Sequence, residues 1–190
     1  MSETYRYDVE VLHLLVSPAH AYFGRARDGA ADVPTADADR VELVAGKGIV
    51  GDRFFGKAAH MDAAVTLMAV EALDDIAAEL DTAPFDPLLT RRNVILRGAE
   101  LHPLLGHEFE LESQGDVVRL MAGRPAHPCA WMDRMLAPGA HAAMRGRGGV
   151  RCQPLTSGVL HHGKAVLISP VLLEPQRAGQ ATLRRSSRLP

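Results

Sequence analysis

The sequence has little cysteine and no strong excess of either charge, and each shortage excludes a class of protein. Two cysteines in 190 residues are too few for a disulfide framework, so we predict a reducing compartment. A formal net charge of −2 gives no overall field that attracts nucleic acid or an anionic membrane. No apolar run approaches the ~18 residues that span a bilayer, and the N-terminus shows no signal peptide. We therefore expect a cytoplasmic protein with neither a nucleic-acid nor a membrane partner.

Metal-binding motifs are also missing, although histidine is abundant. The chain has nine histidines but no H-E-x-x-H and no paired C-x-x-C. His161 and His162 are adjacent, and neighbouring side chains diverge on extended backbone. The spacing of the histidines therefore gives no support to a zinc site.

Short apolar and alternating segments dominate the chain and predict a mainly β protein. Residues 107–113 alternate strictly, with Phe109 and Leu111 on one face and glutamates on the other, as in a half-buried strand. Residues 70–80 and 130–136 have the periodicity of helices. Many short strands with few helices favour a closed barrel with helices packed outside. The other predicted strands are residues 7–17, 40–46, 92–98, 117–122, 149–155 and 164–170, and a hairpin turn is predicted at Gly115–Asp116.

Length and composition predict one domain followed by a tail. Apolar residues make up 47% of the chain and charged residues 23%, the balance of a globular protein. We assign residues 1–173 to a single domain. Residues 174–190 carry four arginines and little apolar side chain, which predicts a flexible basic tail. Residues 25–39 are rich in alanine and aspartate and predict a surface loop.

Three loops have the composition of an anion site. In residues 46–57, the backbone N–H groups of a glycine-rich loop can converge on an anion beside Lys47 and Arg53. The segment matches neither a Walker A loop nor a dinucleotide-binding loop, and a plain glycine turn is the alternative. In residues 144–151, arginines alternate with glycines, and the alternative is a flexible surface turn.

The third loop is Arg91–Arg92–Asn93, which opens a predicted strand. Consecutive residues on a strand point to opposite faces, so we expect at most one of the two arginines to reach a shared ligand. Arg92 and Asn93 together offer a guanidinium fork and an amide to a phosphate or a heterocycle. A solubility role at a sheet edge is the alternative.

Cys129 follows Pro128 at the start of the predicted helix 130–136. A helix N-terminus favours the thiolate, which is the form that attacks or binds soft metals. Free cysteine is also among the most buried residue types, so a packing role stays open for Cys129. Cys152 lies inside a predicted strand, where we expect it to pack.

The order of these motifs resembles a stand-alone MOSC domain, the domain named for the C-terminal part of molybdenum cofactor sulfurase. The resemblance runs from about residue 8 to 170 and lies in the ordered series rather than in any single motif. The segments that carry it are GKGIVGDRFFG (46–56), AVTLMAVEAL (64–73), RRNVILRGAEL (91–101), HPCAWM (127–132) and GRGGVRCQPLTSGVL (146–160).

The resemblance implies a MOSC-type β-barrel with a few peripheral helices. It implies binding of molybdenum cofactor (molybdopterin), a pterin dithiolene that carries a phosphate. Cys129 matches the family's cysteine, so the resemblance makes it the catalytic residue, which ligates molybdenum or carries sulfur. The residues we expect to bind the cofactor are Lys47, Gly51, Asp52, Arg53, Arg92, Asn93, Arg147, Gly148, Gly149 and Arg151.

The resemblance leaves three functions open. The first is an oxidoreductase that reduces N-hydroxylated compounds with the cofactor. The second is a sulfur carrier that uses a Cys129 persulfide to deliver sulfur to a metal–sulfur cluster or a cofactor, and the third is a non-catalytic cofactor-binding module. Expected partners are a small-molecule substrate, a separate electron-donor protein or cysteine desulfurase, and a second copy in a homodimer. The resemblance also implies that the purified protein can lack the cofactor, and it makes pyridoxal phosphate binding an expectation at the level of the family only.

Overall fold

The structure is a computed structural model that describes residues 3–181. Strands make up most of its regular secondary structure. The strands of this region are β1 (Tyr5–Val16), β2 (Ala36–Asp37), β3 (Arg40–Val44), β4 (Gly48–Ile49), β5 (Val65–Ala69), β6 (Val94–Arg97), β7 (Glu108–Ser113), β8 (Asp116–Pro125), β9 (Val150–Pro154), β10 (Gly158–His161) and β11 (Gly163–Ser169). The α-helices are α1 (Val70–Glu79), α2 (Met132–Met135) and α3 (Ala140–Ala143). Short 3-10 turns lie at Ala26–Asp28, Ala58–Ala63, Pro87–Thr90, His102–Leu104 and Pro175–Arg177.

Seven of the strands close into a barrel, in the order β11, β7, β8, β9, β5, β6 and β1, with β1 pairing back onto β11. The long strand β1 closes the ring because it pairs with β11 along Tyr5–Val11 and with β6 along Glu10–Leu14. The β5–β6 pair is parallel, and the other pairs around the ring are antiparallel. The predicted mainly β fold, a barrel with a few peripheral helices, is confirmed.

A small sheet of β10, β3 and β4 packs beside the barrel. Its apolar side chains, Val41, Leu43 and Leu160, are buried and belong to the same apolar cluster as the barrel interior. Strand β4 lies inside the first predicted anion loop, residues 46–57, and its Ile49 is part of the buried cluster. Packing of this sheet on the barrel therefore fixes where residues 51–53 begin.

Two apolar clusters lie on opposite faces of β5 and β6. Leu67 and Leu96 point into the barrel interior, whereas Met68 and Ile95 pack outward against α1 and Trp131. The interior cluster also contains Cys152, which is fully buried, and burial raises the pKa of its thiol. The predicted packing role of Cys152 is confirmed.

Strand β5 was not among the predicted strands. All five of its residues, Val65–Ala69, are buried, so the segment has no alternation of apolar and polar residues. The apolar run also continues directly into α1, which begins at Val70. The spacing of residues in such a short apolar run does not distinguish a strand from a helix.

The helix predicted for 130–136 is only the single turn α2. The helix α2 ends at Met135 with Leu136 as its C-cap, and Gly139 follows in a left-handed conformation with φ 93°. The predicted hairpin turn is displaced by one residue. Asp116 pairs with Ser113, and the turn consists of Gln114 and Gly115, which both have positive φ as a two-residue hairpin turn requires.

The first part of the predicted tail lies against the barrel. Arg177 Nε donates to Glu100 Oε1 at 3.2 Å, and Ala178 packs on the interior cluster. Residues 182–190 of the predicted tail lie outside the described residues, and the division at residue 173 stays a prediction. Within residues 3–181, no helix is both long and apolar enough to cross a membrane.

Candidate functional site

A cavity of about 180 Å³ lies beside the first residues of β5 and β6, and Cys129 lines it. Cys129 comes from the segment after β8, Thr66 from β5 and Arg151 from β9, where Thr66 and Arg151 are register partners. The other lining residues are His20, Tyr22, Arg53, Phe54, Ala63, Thr90, Arg91, Arg92, His127 and Met132. Of the predicted site residues, the cavity gathers Cys129, Arg53, Arg92 and Arg151.

The Cys129 side chain is exposed at this cavity. Its carbonyl accepts a hydrogen bond from the Met132 N–H at 3.0 Å, which closes the turn that leads into α2. Because α2 has only four residues, its dipole is much smaller than that of the predicted helix. The arginines of the cavity, rather than a helix dipole, are therefore the charges that Cys129 meets.

The Arg92 guanidinium holds the backbone just before Cys129. Its Nε donates to Gly148 O at 2.9 Å, and its Nη2 donates to Ala126 O at 3.1 Å and to His127 O at 3.2 Å. Burial lowers the pKa of Arg92 to about 10, and the neighbouring Cys129 acts in the opposite direction. Arg92 thus stays charged at neutral pH and joins the Cys129 segment to the glycine loop after α3.

Asp52 and Asn93 form a buried network behind the cavity. The Asn93 Nδ2 group donates to Asp52 Oδ2 at 3.1 Å and to Leu15 O at 3.2 Å. Its Oδ1 accepts from both the N–H and the hydroxyl of Thr66, at 3.1 Å and 2.9 Å. Asp52 also accepts from the Phe54 N–H at 3.1 Å. Asp52 and Asn93 were both predicted to bind the cofactor, but both are buried within the fold and neither lines the cavity.

Arg53 connects that network to the cavity. Its Nη1 donates to Asp52 Oδ2 at 3.2 Å and its Nη2 donates to Arg91 O at 3.3 Å. Burial lowers the pKa of Arg53, and the Asp52 carboxylate opposes this shift. Arg53 Nε is buried and has no hydrogen-bond partner among the described residues. An acceptor bound in the cavity would satisfy such a donor.

Arg91 and Arg92 both line the cavity, although consecutive residues of a strand would point to opposite faces. That at most one of them reaches a shared ligand stays a prediction. Arg91 has left-handed backbone, with φ 59° and ψ 27°, where it ends the turn Pro87–Thr90. The alternation of faces applies only to extended backbone, and Arg91 precedes the strand. Its guanidinium donates to Thr35 Oγ1 at 2.7 Å and to Ala19 O at 2.8 Å, which anchors the loop before β2.

The remaining predicted residues do not line the cavity. Lys47 is exposed in the turn between β3 and β4, and Gly51, with φ 82°, precedes Asp52. Arg147 Nη1 donates to Glu79 Oε1 of α1 at 2.6 Å. Gly148 and Gly149 act by their lack of a side chain, because a Cβ would lie 2.0 Å from Ala126 O and 1.9 Å from Leu67 O respectively.

Several cavity residues were not among the predicted site residues. His20 and Tyr22 come from the loop after β1, Phe54 follows Arg53, and His127 precedes Cys129 by two residues. Tyr22 stacks on Trp131 with ring centroids 5.3 Å apart, and its hydroxyl donates to Leu89 O at 2.6 Å. The one signal for His20 and Tyr22 is the aromatic and histidine content of HAYF (20–23), directly after a strand.

Comparisons with known proteins identify the fold. The MOSC domain family matches residues 47–167. The YuaD protein of Bacillus subtilis has a TM-score of 0.67 at 16% identity, covering 90% of this chain and 100% of its own. YiiM of Geobacillus stearothermophilus has a TM-score of 0.58 at 17% identity, covering 84% and 74%. YiiM of Escherichia coli has a TM-score of 0.52 at 18% identity, covering 92% and 76%. No curated protein sequence matches the chain.

The fold and the site thus define a small β-barrel protein with an exposed thiol at an arginine-lined cavity. The chain belongs to the MOSC domain family, because the family match covers more than half of its length. That family is known in general for binding molybdenum cofactor.

The cavity fits one end of such a cofactor. Arg53, Arg91, Arg92 and Arg151 line it, and no Asp or Glu is among its lining residues in the described chain. The unpartnered Nε of Arg53 fits an anionic acceptor. A volume of about 180 Å³ is below the ~300–1,000 Å³ of typical small-ligand pockets, so most of a pterin would lie outside it. Within residues 3–181, no group of three or more His, Cys, Asp or Glu side chains is arranged to hold a metal ion.

Proposed function

We propose that the chain binds molybdenum cofactor at the cavity beside Cys129 and acts in the reduction of N-hydroxylated compounds. The observation that supports this proposal is the exposed thiol at a cavity lined by four arginines. A thiolate is a soft ligand and suits a soft metal centre. Guanidinium groups suit phosphate because their hydrogen bonds to it are charge-assisted, and Arg53 Nε is a donor without a partner among the described residues.

Each cavity residue has a separate task in this proposal. Cys129 supplies one sulfur ligand to molybdenum, and Arg53 and Arg151 hold the anionic phosphate. Arg92 positions Cys129, since it anchors the two carbonyls that precede Pro128. When bound, the cofactor supplies two-electron redox chemistry, and the protein supplies position and electrostatics. The electrons come from a separate donor protein.

Exposure of the thiol and the small volume of the cavity favour a second candidate, sulfur transfer. A persulfide carrier needs a thiol that a cysteine desulfurase can reach, and Cys129 is exposed. In this role the Cys129 thiolate attacks the outer sulfur of the desulfurase's persulfide and the desulfurase thiolate leaves. A nucleophilic acceptor then attacks the outer sulfur on Cys129, and the Cys129 thiolate leaves. A cavity of about 180 Å³ has room for the sulfur and part of an acceptor.

Metal analysis of protein made in a host that produces the cofactor tests the first proposal. We expect wild type and Cys152→Ala to retain molybdenum and Cys129→Ser to lose it. The Cys152→Ala variant is the matched control because it removes the other thiol, which lies in the barrel interior. Equal molybdenum in wild type and Cys129→Ser would remove Cys129 from the role of ligand.

Mass spectrometry and a growth assay separate the candidates further. After incubation with a cysteine desulfurase and cysteine, a carrier gains the mass of one sulfur on Cys129, and an unchanged mass counts against transfer. A reductase should protect a sensitive strain against hydroxylaminopurine, and Cys129→Ser should not. A protein that binds cofactor without either activity would be a storage or delivery module.

A further inference from the structure

A second cavity, of about 460 Å³, borders the segment that carries Cys129. Pro125, His127 and Pro128 line it, and His127 also lines the Cys129 cavity. Its volume lies within the ~300–1,000 Å³ of pockets that enclose small organic ligands. The two cavities are therefore neighbours, with His127 common to both.

Separate parts of the fold supply the walls of this cavity. His102 lies in the turn His102–Leu104 between β6 and β7, and Leu105 follows it. His141 belongs to α3, and Arg145 comes two residues after that helix. Because these residues come from separate segments of the chain, the cavity depends on the folded arrangement of the domain.

The lining combines hydrocarbon with one cationic side chain. Leu105, Pro125 and Pro128 present apolar surface, and no Asp or Glu belongs to the lining within the described residues. Arg145 is exposed and makes no ion pair in residues 3–181. Burial lowers the pKa of His102, so its imidazole is neutral at neutral pH and can accept or donate a hydrogen bond.

We propose that this cavity is a second ligand site, which takes a compact aromatic molecule bearing one carboxylate. The apolar wall encloses the ring, and the Arg145 guanidinium binds the carboxylate as a fork. Because His127 borders both cavities, a ligand here lies next to the Cys129 segment. That this cavity holds the main part of a substrate rests on the function proposed above. That it binds an aromatic carboxylate does not depend on that function.

Titration of 2-naphthoate into the cofactor-free chain, followed by NMR of assigned backbone amides, tests the site. We expect saturable shifts at Leu105, His141 and Gly146 and none at Thr66 in the other cavity. The neutral probe 2-naphthalenemethanol has the same ring system and should bind about tenfold more weakly, since it lacks the charge-assisted hydrogen bonds. Shifts centred on Thr66 and Cys129, or no saturable shift at millimolar probe, would overturn the proposal.

A charge reversal provides a result that simple loss of folding cannot produce. Arg145→Glu should weaken 2-naphthoate binding at least about tenfold and should bind 2-naphthylmethylammonium more tightly than wild type does. Arg134→Glu is the matched control, because Arg134 is exposed and lines neither cavity. Equal loss in both variants would refute a specific site. These measurements use no molybdenum, so their outcome is independent of whether Cys129 binds the metal.

Discussion

The Asn93 side chain joins three segments of the fold, and its removal should be strongly destabilising. Asn93 is only 1% exposed. Its amide donates to Leu15 O and Asp52 Oδ2 and accepts from the N–H and the hydroxyl of Thr66. These four bonds use both donors and both acceptor positions of the amide. Asn93→Ala therefore leaves partners unsatisfied on β1, on β5 and in the loop that carries Arg53.

The magnitude follows from the four bonds. A neutral hydrogen bond contributes about 1 kcal/mol net, one to a carboxylate about 1.5–3 kcal/mol, and a buried group without a partner costs ~1–3 kcal/mol. Water that enters the vacated space restores part of this loss. We expect the free energy of unfolding of Asn93→Ala to fall by about 3–5 kcal/mol, a decrease in Tm of about 6–20 °C for a domain of this size.

Urea denaturation followed by circular dichroism measures this change directly. Thr66→Val is the graded control, because it removes the bond that the Thr66 hydroxyl donates to Asn93 Oδ1 and the one it accepts from the Asn93 N–H, and it should cost about 2 kcal/mol. Asn93→Asp places a second carboxylate against Asp52, so its destabilisation should lessen as pH falls and the pair takes up a proton. A loss below about 1 kcal/mol for Asn93→Ala would refute the structural role and restore Asn93 as a candidate ligand.

Three further predictions concern the cavity and the thiols. A thiol reagent should modify one cysteine in the folded protein, Cys129, and two after denaturation, and Cys129→Ser should leave no fast-reacting thiol because Cys152 is buried. Arg92→Lys should lower stability by about 2 kcal/mol through lost backbone hydrogen bonds, whereas Arg151→Lys, at the same cavity, should change it by less than about 0.5 kcal/mol. Burial raises the pKa of Tyr22 to about 12, so the folded state keeps its proton longer than the unfolded state does. The resulting stability is complete below pH 10 and declines between about pH 10 and 12, and Tyr22→Phe should abolish this decline in pH-dependent unfolding.

The strands that alternate between apolar and polar residues are predicted directly from the sequence. Strand β7 is a clear case, because Phe109 and Leu111 face the core while Glu108 is exposed and Glu110 is partly exposed. The helix α1 follows its period in the same way, with Leu73 and Ile76 buried. These elements have one apolar and one polar face, so the order of apolar and polar residues predicts which face is buried.

Strand β5 has two buried faces and therefore no such pattern. Its neighbours β6 and β9 come from residues 94–97 and 150–154, and α1 covers its outer side. The information that makes Val65–Ala69 a strand lies in these distant partners. A local pattern identifies the segment as buried and leaves its secondary structure undecided.

The candidate site shows the same limit at the level of side chains. The composition of the motifs indicated Arg53, Arg92 and Cys129 as candidate site residues, and all three line one cavity in the structure. The position of Arg91 depends on a left-handed backbone conformation, which a non-glycine residue seldom adopts. No residue pattern in the sequence indicates that conformation, so Arg91 was not among the predicted site residues although it lines the cavity.

Some predicted site residues line the cavity and others hold its lining in place, whereas Lys47 is exposed in the turn between β3 and β4. Asp52 and Asn93 position Arg53, and Gly148, which has no Cβ to clash with Ala126 O, presents its own carbonyl to Arg92 Nε. Both groups lie in the same short motifs, because Asp52 precedes Arg53, Asn93 follows Arg92, and Gly148 lies three residues before Arg151. Loss of cofactor after a substitution at any of these positions is therefore expected from either role. Only a stability measurement made alongside the binding measurement distinguishes a ligand from the residue that positions it.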